Sequence, residues 1–267
     1  MEFDKLAESI SLKSNSNREF FIIHGYTGSP TDFNGLAEYL YKKFNVNVKI
    51  PRLIGHGETV QSLDKLKYED FLNQIETELK KEIEEGKEIV LGGISFGAYL
   101  AMQLATKYPV KGLFIVSMPS KFKFPFSLEI ADNLRFIKKY WGKRKRKLKG
   151  RTKDHFYYPQ NHINGLSIGK YGLEIANESA KSINIPLLLI HSEYSFLGRA
   201  KDSQEIFDKF NSKIKKFIVL GNGFHNPFYS YEKDEIINVI GEFFETHVFQ
   251  SKLEENQNVE YNNNNKE

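Results

Sequence analysis

Apolar residues in this chain come mostly as short runs separated by longer amphipathic stretches. Residues 20–23 (Phe-Phe-Ile-Ile), 46–50, 88–92, 112–116 (Gly-Leu-Phe-Ile-Val), 187–190 (Leu-Leu-Leu-Ile) and 217–220 (Phe-Ile-Val-Leu) read as buried strands. Residues 68–84 place Phe71, Ile75 and Leu79 at i, i+4 and i+8, with charge on the other faces, and predict a helix. Residues 31–41 predict another, entered by Ser29-Pro30-Thr31. Residues 98–105 open a third, and helices are expected near 200–211 and 233–247. Unbroken apolar strands alternating with helices predict an α/β fold. Its expected form is a mostly parallel sheet of about six strands, covered by helices on both faces.

The interval between the strands ending at 116 and beginning at 187 is too long for one crossover helix. The predicted organisation is a lead-in over 1–18, a core built from 19–117 and 185–249, a cap insertion over 118–184 and a disordered tail over 250–267. Charge sharpens this division. The chain carries a net charge of +4, yet residues 121–185 hold 15 Lys or Arg against 5 Asp or Glu, leaving the rest at −6. The densest part runs from Lys143 to Lys153. It must be solvated, and it attracts anions. Nine aromatic residues lie between Phe122 and Tyr158. They predict a cap with an apolar inner surface, although some must form the cap's own small core.

The chain has no cysteine, so disulfides, thiolate zinc sites and cysteine nucleophiles are excluded. No apolar run approaches the ~18 residues of a bilayer span, and the charged N-terminus has no apolar secretory core. A cytoplasmic location is expected.

The chemistry concentrates at Gly93-Ile94-Ser95-Phe96-Gly97, a G-x-S-x-G pattern between a predicted strand and a predicted helix. A sharp strand-to-helix turn presents the serine hydroxyl at a helix N-terminus, where backbone N–H groups favour developing negative charge. A serine nucleophile needs a base, and His225 follows the last strand in a glycine-containing loop able to reach the same sheet edge. The loop at 24–28 (His-Gly-Tyr-Thr-Gly) leaves the first strand, so the oxyanion hole is assigned to the backbone N–H groups of Tyr26 and Phe96. His24 and His56 read as structural. The insertion is expected to form a lid over Ser95. No metal or organic cofactor is required.

Taken together, the motifs at 24–28, 51–57 (Pro-Arg-Leu-Ile-Gly-His-Gly), 93–97 and 223–225 resemble the α/β-hydrolase superfamily. They are most similar to bacterial carboxylesterases and monoacylglycerol-lipase-like esterases. The resemblance covers about residues 19–248, skips most of the cap and implies a sheet without the first hairpin of larger hydrolases. It implies a serine esterase or lipase acting on a small-molecule acyl or aryl ester. It also implies an aspartate shortly after the 187–190 strand, where this chain has Ser195. Glu193 is the candidate acid; Asp202 and an acid-free Ser–His dyad are the alternatives. Thioesterase or acyltransferase chemistry would use the same residues. The Ser195 substitution favours a weakly active or non-catalytic binding protein as the other reading. The basic run suggests peripheral contact with an anionic membrane surface, and nucleic acid ranks below it as a partner.

Overall fold

The computed structural model describes residues 4–121, 139–142, 154–193, 195, 198–221 and 224–250. All six expected strands form: β2 (Arg18–Ile23), β3 (Asn47–Ile50), β4 (Glu88–Ile94), β5 (Gly112–Val116), β8 (Leu187–Ser192) and β9 (Lys215–Leu220). A seventh, β1 (Ile10–Leu12), comes from the lead-in and pairs antiparallel with β3. It is three residues long with no buried position, so no apolar run announces it. The sheet order is β1-β3-β2-β4-β5-β8-β9, and every pairing except that of β1 is parallel.

Successive side chains of a strand face opposite sides, and here both sides are covered. Phe21, Ile23, Leu91, Leu113 and Leu189 pack into a core with α2 (Tyr68–Glu84), α3 (Phe96–Lys107) and α4 (Asn164–Ala180). Phe20, Ile22, Val90, Phe114 and Leu188 pack on the other face with α1 (Leu36–Phe44) and α6 (Lys233–Phe244). The remaining helix, α5 (Ala200–Phe207), lies between β8 and β9 in the chain. The helix expected over 31–41 is interrupted: a 3₁₀ turn at Pro30–Phe33 precedes Gly35, whose φ of 81° restarts the chain as α1.

Sequence patterning missed α4, because three glycines in its first half weaken the helical signal. Two of those glycines serve packing. A Cβ on Gly172 would lie 2.6 Å from Tyr99 Cδ2, and one on Gly165 would lie 2.4 Å from Tyr26 Cε1. The insertion also contributes a two-stranded antiparallel ribbon, β6 (Tyr140–Gly142) with β7 (Gln160–His162). Phe122, Phe124, Phe126 and Phe136 fall outside the described residues, as do 143–153 and 251–267.

Strand β4 and helix α3 meet as closely as backbones can. A Cβ on Gly93 would stand 2.3 Å from the Gly97 carbonyl oxygen, and one on Gly97 would stand 2.1 Å from that of Ile23. Backbone cannot give way as a flexible side chain can. Gly93→Ala should therefore lower the unfolding free energy by about 2–3 kcal/mol. Gly142→Ala, with nothing among the described residues within 4 Å of the added Cβ, should change it by less than ~0.5 kcal/mol. Urea denaturation of the two variants checks the contrast.

Candidate active site

Three non-glycine residues with positive φ gather at the carboxyl ends of the central strands: Thr27 (62°), Ser95 (55°) and Ser117 (49°). Such conformations cost about 1–3 kcal/mol each and persist where the surroundings impose them. For Ser95 the imposing contacts are visible. Its N–H donates to the Val116 carbonyl at 2.9 Å, and its own carbonyl accepts from Ala98 N–H at 3.2 Å. This fixes Ser95 as the residue preceding α3 and leaves Phe96 as the first helical residue. The N–H groups of a first helical turn have no partner within the helix.

His225 reaches this serine from 130 residues away, with Nε2 lying 3.0 Å from Ser95 Oγ. Its loop is held on both sides. Ser192 Oγ donates to the Phe224 carbonyl at 2.7 Å, and Asn226 Nδ2 donates to the Asp32 carbonyl at 2.9 Å. The other ring nitrogen, Nδ1, lies 3.3 Å from Ser195 Oγ, a residue 1% exposed.

The candidate acids stand elsewhere. Glu193 is exposed, and its backbone N–H donates to the Leu220 carbonyl at 2.9 Å. The structure does not bring its carboxylate to His225. Asp202 is held by Arg199 in a two-point contact at 2.7 and 2.9 Å, and this hydrogen bonding keeps its carboxyl below the usual range.

The loop after β2 lies directly against the elbow: a Cβ on Gly25 would sit 3.5 Å from Ser95 Cβ. The Tyr26 ring meets the Phe96 ring edge-on at 5.7 Å and the Phe71 ring at 6.2 Å. His24 and His56 support this loop from beneath. His24 Nε2 accepts from Leu53 N–H at 3.0 Å, which leaves Nδ1 to donate to the Gly25 carbonyl, also at 3.0 Å. Burial lowers His24 to about 4 and His56 to about 3, so both are neutral near pH 7.

Sequence reasoning passed over two further clusters, because each joins residues roughly a hundred positions apart. In the first, buried Asp32 faces the loop after β2, with Oδ2 accepting from Gly25 N–H at 3.4 Å. Its Oδ1 lies 2.9 Å from Nε2 of buried His155, a residue of the insertion stacked on Tyr229 at 4.2 Å. Phe156 N–H next door donates to Thr31 Oγ1 at 3.1 Å, and Tyr158 hydroxyl donates to the Gly55 carbonyl at 2.8 Å. In the second, His162 Nε2 lies 3.0 Å from Asp64 Oδ1, and its Nδ1 lies 3.4 Å from the Tyr26 hydroxyl. The described part of the insertion is thus fastened to loops on the Ser95 side of the sheet. Among the described residues, no cluster of three or more His, Asp or Glu side chains could hold a metal ion. No described helix is long and apolar enough to cross a membrane.

Comparison with known proteins identifies the family and the fold. A family model, Hydrolase_4, described as "Serine aminopeptidase, S33", matches residues 14–234. A thermostable monoacylglycerol lipase from Bacillus sp. (strain H-257) is 25% identical over 229 residues, covering 85% of this chain and 90% of the lipase. A structure reported with LipS and LipT, two metagenome-derived lipolytic enzymes, superposes with a TM-score of 0.83 at 20% identity, covering 92% of this chain and 100% of that one. A monoacylglycerol lipase from Paleococcus ferrophilus superposes with a TM-score of 0.74 at 17% identity, over 92% and 100% of the two chains.

The buried histidines predict how stability depends on pH. His24 and His56 refuse protons in the folded state that they accept near pH 6.5 when unfolded, so their contribution is full above that pH and is lost as pH falls. Glu19 opposes them. Burial raises it to about 7 from an ordinary 4.5, so the folded state holds its proton as pH falls and gains stability from it. The net expectation is a loss of unfolding free energy between about pH 6.5 and 4.5. Glu19→Gln should steepen that loss by up to about 1.4 kcal/mol per pH unit. Urea denaturation at a series of pH values reads both slopes.

Proposed function

The chain belongs to the Hydrolase_4 family of α/β-hydrolases, a family of serine hydrolases, and on that premise we propose that it hydrolyses carboxylic esters through an acyl-enzyme on Ser95. The observation that carries the reading is the 3.0 Å approach of His225 Nε2 to a serine in a strained strand-to-helix turn.

In this reading Ser95 Oγ attacks the ester carbonyl carbon while its proton passes to His225 Nε2. The carbonyl oxygen becomes an oxyanion, held by the N–H groups of Tyr26 and Phe96. Support for Tyr26 comes from the contact of Gly25 with Ser95, and for Phe96 from its place at the start of α3. Each such donor is worth roughly 10²–10³ in kcat. When the intermediate collapses, the proton on Nε2 goes to the leaving alcohol. A water then gives a proton to His225 and attacks the acyl carbon, a second oxyanion forms, and its collapse returns the proton to Ser95 and frees the acid.

The edge-to-face cluster of Tyr26, Phe71 and Phe96 beside Ser95 suits an acyl or aryl group. The similarity to a monoacylglycerol lipase supports small acyl esters of an alcohol as the substrate class. The insertion serves as the lid, and the basic run from Lys143 to Lys153 would favour approach to anionic lipid surfaces by charge. Thioesters would react at the same residues and belong in the assay as a second arm.

A fluorophosphonate probe should label Ser95, and p-nitrophenyl esters of increasing chain length should be turned over. Ser95→Ala should abolish labelling and lower kcat by at least ~10⁴. Undiminished hydrolysis by that variant would reject the esterase reading.

A further inference from the structure

His225 has two ring nitrogens, and the proposed reaction accounts for only one. If Nε2 is to receive the Ser95 proton, the neutral imidazole must carry its own proton on Nδ1. That tautomer is selected by whatever accepts a hydrogen bond from Nδ1–H. The atom found there is Ser195 Oγ, 3.3 Å away, on a residue 1% exposed.

Resting on the esterase reading of this site, we infer that Ser195 is the third member of the catalytic relay: a neutral hydroxyl that accepts the Nδ1–H hydrogen bond of His225 and holds the ring in its reactive tautomer. Ser195 touches neither substrate nor reacting atoms. It is a positioning residue, and it takes up no proton during the cycle.

The surroundings fix this hydroxyl in place. Ser195 N–H donates to the Ser192 carbonyl at 3.1 Å, and Ser192 Oγ donates to the carbonyl of Phe224, the residue before His225. The backbone that carries Ser195 and the backbone that carries His225 are therefore tied together just below the ring. Behind them, His191 Nδ1 lies 3.2 Å from Ser203 Oγ, which in turn accepts from Ser120 Oγ at 3.0 Å. Serine hydroxyls thus recur through the interior at this end of β8. The nearby carboxylates are committed elsewhere, Asp32 to His155 and Asp202 to Arg199, while Glu193 is exposed.

A hydroxyl and a carboxylate do this work differently. Both can orient the ring. Only the carboxylate adds an opposite charge beside the imidazolium that forms during proton transfer, and an opposite charge at this range raises a histidine's affinity for its proton. A relay built on Ser195 therefore leaves His225 deprotonated, and so competent as a base, to lower pH than a carboxylate would allow. It also forgoes part of the stabilisation of the charged transition state.

The test measures kcat, KM and the pH profile of kcat/KM for wild type, Ser195→Ala, Ser195→Thr and Ser195→Asp with one p-nitrophenyl ester, each variant first confirmed folded by thermal denaturation. Removing one hydrogen bond of ordinary strength should lower kcat of Ser195→Ala about 3–10-fold, with KM unchanged. Ser195→Thr keeps the hydroxyl and should retain wild-type kcat and profile. Ser195→Asp should raise kcat at least ~10-fold and move the acid limb of the profile up by about one pH unit or more. If Ser195→Ala is silent and Ser195→Asp leaves the acid limb in place, Nδ1 takes a different partner and the inference is overturned. Should Ser195→Asp fail to fold, the contrast between Ala and Thr decides: equal kcat in both overturns the inference. Ser95→Ala runs beside the series. Activity surviving in that control condemns the esterase reading itself, whereas a dead control with silent Ser195 variants condemns only the relay.

Discussion

Everything at the site depends on how closely three pieces of backbone approach one another: the end of β4, the first turn of α3 and the end of β2. The Gly97 Cα lies where any side chain would collide with the carbonyls of Ile23 and His24. Because that approach is closed, Ser95 is forced to a φ of 55°, Phe96 begins a helix, and the loop from His24 onward starts against the serine. Strain of about 1–3 kcal/mol at Ser95 is small beside the hydrophobic burial on both faces of the sheet, where β4 and β5 are interior strands. The core holds the turn, and the turn holds the serine.

The same closeness explains why the centre of the site could be read from sequence. Packing this tight admits only glycine or alanine at fixed offsets from the serine, and such a constraint leaves a local signature: Gly93, Gly97 and Ala98 around Ser95. The six strands were legible for a related reason. Strands covered on both faces carry apolar runs through their middles, as at 20–23, 89–91, 113–116 and 187–190, and these runs stand out against the charged helices. His225 was legible from its place after the last strand, since parallel strands deliver their following loops to one edge.

What escaped is equally physical. Strand β1 adds backbone hydrogen bonds to a sheet edge and buries little, so it has no apolar run. Helix α4 trades helical propensity for close contact with Tyr99 and Tyr26, and its glycines hide it. The Asp32–His155 and Asp64–His162 pairs join distant segments through single side chains, with no periodicity to betray them. The acid position shows the limit most clearly. A search for the nearest carboxylate reaches Glu193, yet that residue stands in the turn just past the end of β8, exposed to solvent. Two residues on, where the turn has folded back, the buried position belongs to Ser195.

Asp32 joins parts of the molecule usually considered separately. One carboxylate faces both the loop that begins beside Ser95 and a histidine supplied by the insertion, and its own backbone carbonyl holds the loop of His225 through Asn226. The insertion is therefore more than a detachable cover. Exchanging it for the corresponding segment of another hydrolase, as a way to graft a new substrate preference, would take His155 away from the buried carboxylate and loosen the loops on either side of the serine. A productive graft would have to carry His155 and Phe156 along, which makes this short stretch part of the frame around Ser95 and sets the boundary of the exchangeable module beyond it.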